Sequence, residues 1–135
     1  MARSGAVISK VLDEAKSKDE AVAGLRKVTE LTQDPARKAN RYERARIIGM
    51  AEGNERFRIA LGKVQLELTD LFTAQFKLAQ DKGWFNKDFD PRAGAVLIQA
   101  YTLGKIVDDI VDEPMDSEAW NSLIGLILER ALISE

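Results

Sequence analysis

One segment, from Asp88 to Pro114, constrains the fold of this chain more than any other; its sequence is DFDPRAGAVLIQAYTLGKIVDDIVDEP. The segment predicts a helix, because Asp90 can cap the amino-terminal end and Pro91 suits the first helical position. Pro114 is expected to end the helix. Its apolar residues occupy far more than the stripe of about 100° that a helix on a protein surface needs.

The apolar residues of this predicted helix fall into two sets on different sides. One set shares a face and comprises Ala93, Val96, Leu97, Ala100, Leu103, Gly104, Val107 and Val111. The other set lies on the remaining sides and comprises Ala95, Ile98, Tyr101 and Ile106. One small core cannot use both sets. Either the helix is enclosed at the centre of a monomer, or one of its faces packs against a second chain.

The rest of the chain also repeats apolar residues at helical spacing, and strand-like alternation is hard to find. We predict six helices with short connections, over about residues 5–17, 19–31, 35–52, 55–82, 91–113 and 117–131. Asn54 is predicted to cap the fourth helix and Gly83 to end it. The fold class is all-α, and 135 residues suit one domain. We place that domain at residues 5–133 and interpret residues 1–4 as a possible vector-derived remnant.

The composition excludes several classes of site. The chain has no cysteine and no histidine, so disulfides, Cys/His zinc sites and triads that use histidine are excluded. A net charge of -2 predicts no general attraction to nucleic acid or to anionic membranes. No apolar run approaches the roughly 18–20 residues that cross a bilayer, and no signal peptide is recognisable, so a cytoplasmic location is expected. We expect no cofactor, no metal and, since no nucleophile with a base is recognisable, no enzymatic activity.

The predicted third helix carries a run of basic residues: Arg37, Lys38, Arg41, Arg44 and Arg46. Arg37, Arg41 and Arg44 share one face, which we interpret as solvated or meeting acidic surface elsewhere; a nucleic-acid surface is the weaker alternative. Arg46 lies on the other side, with Tyr42, Glu43 and Met50. It either pairs with Glu43 or lines a pocket for an anionic or polar effector, to which Tyr42 and Met50 contribute.

The predicted fourth helix places a glutamine in an apolar stripe. Gln75 either bonds a neighbouring backbone group or lines a ligand cavity, because a buried amide needs hydrogen-bond partners. Phe72 and Phe76 are more often core than pocket residues, although a mostly apolar pocket with few polar groups is the usual small-molecule site. The tentative ligand-binding set is Tyr42, Arg46, Met50, Leu68, Phe72, Gln75 and Phe76.

Four carboxylates are predicted at the carboxyl end of the fifth helix: Asp108, Asp109, Asp112 and Glu113. The helix dipole disfavours negative charge at this end. A calcium or magnesium site is one reading, but the spacing matches no loop motif. We expect a solvated helix end, or a contact with basic residues across a dimer.

The last two helices carry more apolar surface than a single copy is expected to bury. Two helices from each of two chains would then form a four-helix bundle about a two-fold axis, giving a homodimer. Ala93, Ala100 and Gly104 would leave a groove for close helix approach. The predicted interface is Ala93, Leu97, Ala100, Gly104, Val107, Trp120, Leu123, Ile124, Ile127 and Leu128.

From about Val7 to Leu132, the chain resembles the ligand-binding and dimerisation domain of TetR/AcrR-type transcriptional regulators. The segment that resembles the helical entry into that domain is VLDEAKSKDEAVAGLRKVTELTQDP. The segment that resembles its long central helix with the following turn is GNERFRIALGKVQLELTDLFTAQFKLAQDKGWF. Its final helix pair resembles NKDFDPRAGAVLIQAYTLGKIVDD followed by DSEAWNSLIGLILERAL.

The resemblance implies an effector-sensing and dimerisation domain of a repressor, with a small apolar or anionic effector. No segment resembles the helix-turn-helix head of these regulators, so we expect a truncated or a naturally headless chain. DNA would be bound only through that missing amino-terminal domain, and no residue here is assigned to it. The alternative function is a helical adaptor or scaffold that dimerises without a small ligand; an enzyme with carboxylate chemistry is a third, weaker reading.

Overall fold

The computed structural model of the chain describes residues 10, 13–32 and 34–135. In these residues the regular structure is helical, apart from an isolated bridge between Phe85 and Ile133, which confirms the all-α fold class. The helices are α1 (Lys18–Thr32), a 3-10 turn (Pro35–Arg37), α2 (Lys38–Met50), α3 (Glu55–Asp81), α4 (Pro91–Gly104), α5 (Ile106–Asp109) and α6 (Ser117–Ala131). Over the same ranges, no helix combines the length and the apolar character needed to cross a bilayer.

The predicted first helix, over residues 5–17, lies largely outside the described residues. Within it, Lys10, Asp13 and Glu14 are helical, whereas Ala15 and Lys16 are not. The predicted count of six helices is therefore not established by the described part of the chain.

Side-chain caps confirm the predicted starts of α3, α4 and α6, whereas α2 begins at Lys38, after the 3-10 turn over Pro35–Arg37, and has no side-chain cap. The Oδ1 atom of Asn54 accepts a hydrogen bond from the Phe57 amide at 3.0 Å, ahead of α3. Asp90 caps α4 through its Oδ1 atom, and Asp116 caps α6 in the same way. Gly83 follows α3 with a φ of 78°, a conformation that glycine adopts without strain. Local chemistry therefore determines where these helices begin and where α3 stops.

The prediction that the fifth helix continues to Pro114 is wrong. It ends at Gly104, a turn follows at Lys105, and between there and Pro114 only the four residues of α5 are helical. The side chains of Lys105 and Asp109, on either side of this short helix, are both buried, and the Lys105 ammonium lies 3.8 Å from the Asp109 carboxylate. The next loop is closed by the Met115 amide, which donates to Asp108 Oδ2 at 2.9 Å.

The main core lies where α3, α4 and α1 meet. α3 and α4 are antiparallel, since Gly94 lies against Phe76 while Gln99 bonds Thr69 earlier in α3. The fully or nearly buried residues of this core are Leu25, Val28, Phe72, Phe76, Ala79, Phe85, Ala95 and Ile98. A smaller cluster of Ile124, Leu128 and Leu132 attaches α6, with Phe89, Tyr101 and Trp120 packed against it.

The carboxyl-terminal residues tie three parts of the chain together. The Asn86 amide donates to the Leu132 carbonyl at 2.7 Å, and the Ser134 amide donates to the Trp84 carbonyl at 3.0 Å. The Lys18 ammonium, at the start of α1, donates to the Ser134 carbonyl. The end of α6, the loop after α3 and the start of α1 are therefore held together.

Gly94 permits the close approach of α4 to α3, because a Cβ there would lie 2.9 Å from ring atoms of both Phe76 and Phe89. We expect Gly94→Ala to lower the free energy of unfolding by about 1–3 kcal/mol through overpacking. The higher helix propensity of alanine offsets part of this loss. Gly62→Ala is the matched control, since a Cβ at that helical glycine meets nothing within 4 Å. The control should raise stability by about 0.5–1 kcal/mol in urea unfolding. Equal effects at both positions would contradict the close packing.

Candidate functional site

The seven predicted ligand-binding residues lie in different surroundings. Phe72 and Phe76 are buried in the main core, and Leu68 packs against it. Tyr42, Arg46 and Met50 are exposed on α2, with Met50 59% exposed. The structure therefore brings Leu68, Phe72 and Phe76 together and leaves the three α2 residues on the surface.

The sequence left two possible roles open for Gln75 and two for Arg46. The Gln75 side chain is half-buried and donates to Asp13 Oδ1 at 2.6 Å, so its partner is a side chain rather than backbone. Among the described residues, no ion pair joins Arg46 to Glu43, and both are exposed. Gln75 borders a small pocket of about 10 Å³ together with Ala21, Leu78 and Trp84.

Arg41 on α2 is buried, although its face was expected to be solvated or to meet acidic surface elsewhere. Only 3% of Arg41 is exposed. Its Nε and Nη2 atoms donate to the two carboxylate oxygens of Asp109 at 2.5 and 2.8 Å, a bidentate pairing. Of the two interpretations, the solvated face is wrong for Arg41 and the contact with acidic surface is confirmed. That acidic partner, Asp109, lies on α5 of the same chain rather than across a dimer.

Lys105 extends this network. Its ammonium lies 2.9 Å from Asp108 Oδ2 and 3.8 Å from Asp109 Oδ1, and it is 5% exposed. Two cations and two carboxylates therefore neutralise one another at the junction of α2, α4 and α5. Burying such charges is costly unless they are paired, and here all four are paired.

Hydrogen bonding governs how the carboxylates of this network titrate. The hydrogen bond from Arg41 lowers the pKa of Asp109, with the nearby charges of Arg41, Lys105 and Lys38 adding to the effect against the opposing effect of burial. The pKa of Asp108 is lowered mainly by its bond from Lys105 and by the Met115 amide. Both carboxylates therefore stay ionised, which suits a role in holding α2 and α5 together rather than a role in proton transfer.

The outward side of α4 is apolar along its length. Its inward side consists of Gly94, Ala95, Ile98 and Thr102, all buried. The opposite side is exposed and carries Ala93, Val96, Leu97, Ala100 and Gly104. Val107 on α5 is 75% exposed. The α4 and α5 residues of the predicted interface are therefore uncovered in a single copy of the chain.

The α6 residues of the predicted interface divide between two environments. Ile124 and Leu128 are buried in their own chain's second cluster, and Trp120 is half-buried against it. Leu123 and Ile127 are exposed, as is Leu126 between them. The outward face of α6 is thus narrower than predicted, because the helix turns Ile124 and Leu128 towards Tyr101 and Phe89.

A cleft between α1 and α6 was not predicted from the sequence. Its volume is about 830 Å³, and it is lined by Arg26, Thr29, Glu30, Glu118, Asn121, Ser122, Gly125, Leu126, Leu128 and Glu129. Arg26 and Glu129 form an ion pair across it. The Oδ1 atom of Asn121 is buried without a hydrogen-bond partner in the described part of the chain, a situation that costs about 1–3 kcal/mol. No local sequence motif predicts the cleft, because its two walls, α1 and α6, are far apart in the sequence.

Comparisons of the chain with protein-family models, with curated proteins and with solved structures found no match.

The Arg41–Asp109 pair generates a prediction about stability. Arg41→Met alone should lower the free energy of unfolding by about 3–5 kcal/mol, because it leaves a buried carboxylate without its main partner. The double variant Arg41→Met with Asp109→Leu should recover most of that loss. Arg58→Met, which removes the exposed Arg58–Glu55 pair, is the control and should change stability little. A single Arg41 variant as stable as the control would refute the role of the pair.

The lowered pKa of Asp109 also predicts a pH dependence. Unfolding restores the ordinary value of 3.8, so the carboxylate stabilises the fold above that pH and the contribution is lost as pH falls through the lower, folded pKa. The double variant, which has no carboxylate at this position, should lose less stability than the parent between about pH 5 and pH 2. Urea unfolding at each pH measures the difference, and parallel curves would rule out the assignment.

Proposed function

We propose that this chain is the effector-sensing and dimerisation domain of a TetR/AcrR-like transcriptional repressor. The family part of the proposal rests on the ordered resemblance along the sequence. The observation that carries the pairing part is the exposed apolar face of α4, on the side opposite the core.

Burial energetics favour a second copy against this face. Leu97 is 40% exposed and Val96 is 50% exposed, although both belong to a continuous apolar surface. Fully burying such side chains contributes about 1.5–3 kcal/mol each, before the cost of association. A self-complementary contact about a two-fold axis uses the same face twice, so one apolar surface suffices.

Small residues make this face suitable for helix packing. Ala93, Ala100 and Gly104 place little bulk between the α4 backbone and a neighbour, and a Cβ at Gly104 meets nothing within 4 Å. The exposed residues of α6, namely Leu123, Leu126 and Ile127, extend the proposed contact. Ile124 and Leu128 are left out of the interface that we propose, because they already pack within their own chain.

Effector sensing in such a domain requires two conformations with different affinities for the ligand. Ligand binding then shifts the population towards one of them, and the change in subunit geometry is passed to the DNA-binding heads. For this chain, the element proposed to carry the change is the predicted first helix, residues 5–17, which lies largely outside the described residues.

An adaptor or scaffold that dimerises without a ligand is the second candidate. It is favoured by the packing of Phe72 and Phe76, which fill the core where a central pocket was expected. Thermal unfolding in the presence of small molecules separates the two functions. A ligand at 100 times its dissociation constant adds about 2.7 kcal/mol to stability, whereas a scaffold shows no such gain with any compound.

The proposed interface predicts the effect of a charge on the outward face of α4. Leu97→Asp should convert a dimer into a monomer at micromolar concentration while leaving the helical content intact, because this side chain lies outside the core. Light scattering or native mass spectrometry measures the mass, and circular dichroism checks the fold.

Leu78→Asp is the matched control for that experiment. Leu78 is 45% exposed on α3, on the side that faces Ala21 of α1, so a charge there should leave the dimer intact. A parent chain that is monomeric, or a Leu97 variant that still pairs, would exclude the proposed interface.

A further inference from the structure

Within one copy of the chain, α2 has little packing. Of its thirteen residues, all of which the structure describes, Arg41 alone is buried, and its guanidinium is paired with Asp109. The large apolar side chains on this helix are exposed: Tyr42, Ile48 and Met50. Because a helix in a protein gains most of its stability from a packed apolar face, the exposed sides of α2 are expected to have a partner.

One exposed side of α2 alternates basic and apolar residues. These residues recur at intervals of four, which places them near one side of the helix, and we call them the basic row: Lys38, Tyr42, Arg46 and Met50. The Lys38 ammonium lies 5.9 Å from the centroid of the Tyr42 ring, as expected for neighbours on one side. Neither Lys38 nor Arg46 has an ion-pair partner in the described ranges.

The turn after α4 has the opposite charge. Residues 106–118 contain six acidic residues and no basic residue, whereas residues 37–50 contain five basic residues and one acidic residue. The two acidic residues on α5 are paired within the chain. Asp112 and Glu113 are exposed, and neither forms an ion pair in the part of the chain that the structure describes. Ile110, which precedes them, is 67% exposed. We call residues 110–113 the acidic loop.

The basic row and the acidic loop lie on neighbouring elements of one copy. Arg41 on α2 is bonded to Asp109 on α5, and the acidic loop follows Asp109 directly. A surface with a positive part beside a negative part is complementary to itself under a two-fold rotation. The positive part of each copy then meets the negative part of the other, and the contact forms twice.

We propose that the basic row is covered by the acidic loop of a second copy of this chain. Lys38 and Arg46 of each copy pair with Asp112 and Glu113 of the other, and the exposed apolar side chains of the row pack against Ile110. The two-fold axis passes near the carboxyl end of α4, so α2 and the acidic loop of both copies surround it. The contact deepens the pairing part of the proposed function and rests on it, because it flanks the exposed face of α4.

The charges of this contact orient the two copies more than they hold them together. Exposed ion pairs are individually weak, whereas like charges placed opposite each other disfavour a wrong arrangement. Pairing of the parent chain should therefore weaken as salt is added, because salt screens exposed charges. Sedimentation of the full chain over a range of salt concentrations measures this, and an affinity that does not change with salt would overturn the proposal.

Charge reversal tests each side of the contact. Lys38→Glu with Arg46→Glu should weaken pairing about 10- to 100-fold at low salt, because repulsion replaces attraction and the two-fold axis repeats each change. Asp112→Lys with Glu113→Lys should weaken pairing to a similar extent. Circular dichroism checks that the variants fold. The neutral variant Lys38→Gln with Arg46→Gln should show a smaller loss, and a reversed variant that pairs as tightly as the parent would overturn the proposal.

Mixing the two reversed variants distinguishes a contact between copies from a contact within one copy. In the mixed pair, the acidic row of one chain faces the basic loop of the other, and the unchanged row and loop face each other as in the parent. We expect native mass spectrometry to show mainly the mixed dimer, with close to the parent affinity. A mixture that pairs as weakly as the separate variants would overturn the proposal.

A matched control separates this contact from the effect of total charge. Lys27→Glu with Lys87→Glu makes the same change in net charge at exposed positions outside α2 and the acidic loop, and should leave pairing unchanged. An equal loss in the control and in the reversed row would mean general repulsion between more acidic chains, which contradicts the proposal.

Leu97→Asp keeps the two proposals apart. If this variant loses pairing while both charge-reversed variants pair like the parent, the α4 interface is supported and the charged contact is excluded. If mixing restores a dimer that Leu97→Asp leaves intact, the charged contact is supported and the α4 interface is excluded. A parent chain that is monomeric at micromolar concentration contradicts both.

Discussion

The contact between Gly94 and the rings of Phe76 and Phe89 determines how α4 is oriented on the rest of the fold. Because glycine has no Cβ, α4 approaches α3 closely at Gly94, and Ala95 and Ile98 pack into the same core. Rotating α4 about its axis would drive a side chain into those rings. The outward position of Val96 and Leu97, on which the proposed pairing depends, therefore follows from a packing constraint on the opposite side of the helix.

The buried charges near Arg41 complement that constraint at the other end of α4. Asp109 and Lys105 are buried where Arg41 and Asp108 neutralise them, and α4 ends at Gly104, immediately before this network begins. Val107 is 75% exposed on the short helix α5 that follows. The same network joins α2 to α5. Because α5 is so short, it contributes little packing of its own.

Features set by neighbouring residues were predictable from the sequence, and features set by distant contacts were not. The caps at Asn54, Asp90 and Asp116 and the stop at Gly83 depend on local hydrogen bonds and dihedral angles. The buried Asp109, just after the break at Lys105, pairs with an arginine 68 positions earlier, which periodicity cannot reveal. Likewise, the apolar stripe of α3 was predicted from periodicity, which does not show which side of the helix packs against α4. The cleft between α1 and α6 has no sequence pattern within either helix that would predict it.

The carboxyl-terminal tail joins segments that are far apart in the sequence. The Lys18 ammonium, at the start of α1, donates to the Ser134 carbonyl, and the Ser134 amide donates to the Trp84 carbonyl. The start of α1 and the loop after α3 are thus both anchored to residues that follow α6. Removal of the last two residues would therefore release both segments together, although Lys18 lies 116 positions before Ser134.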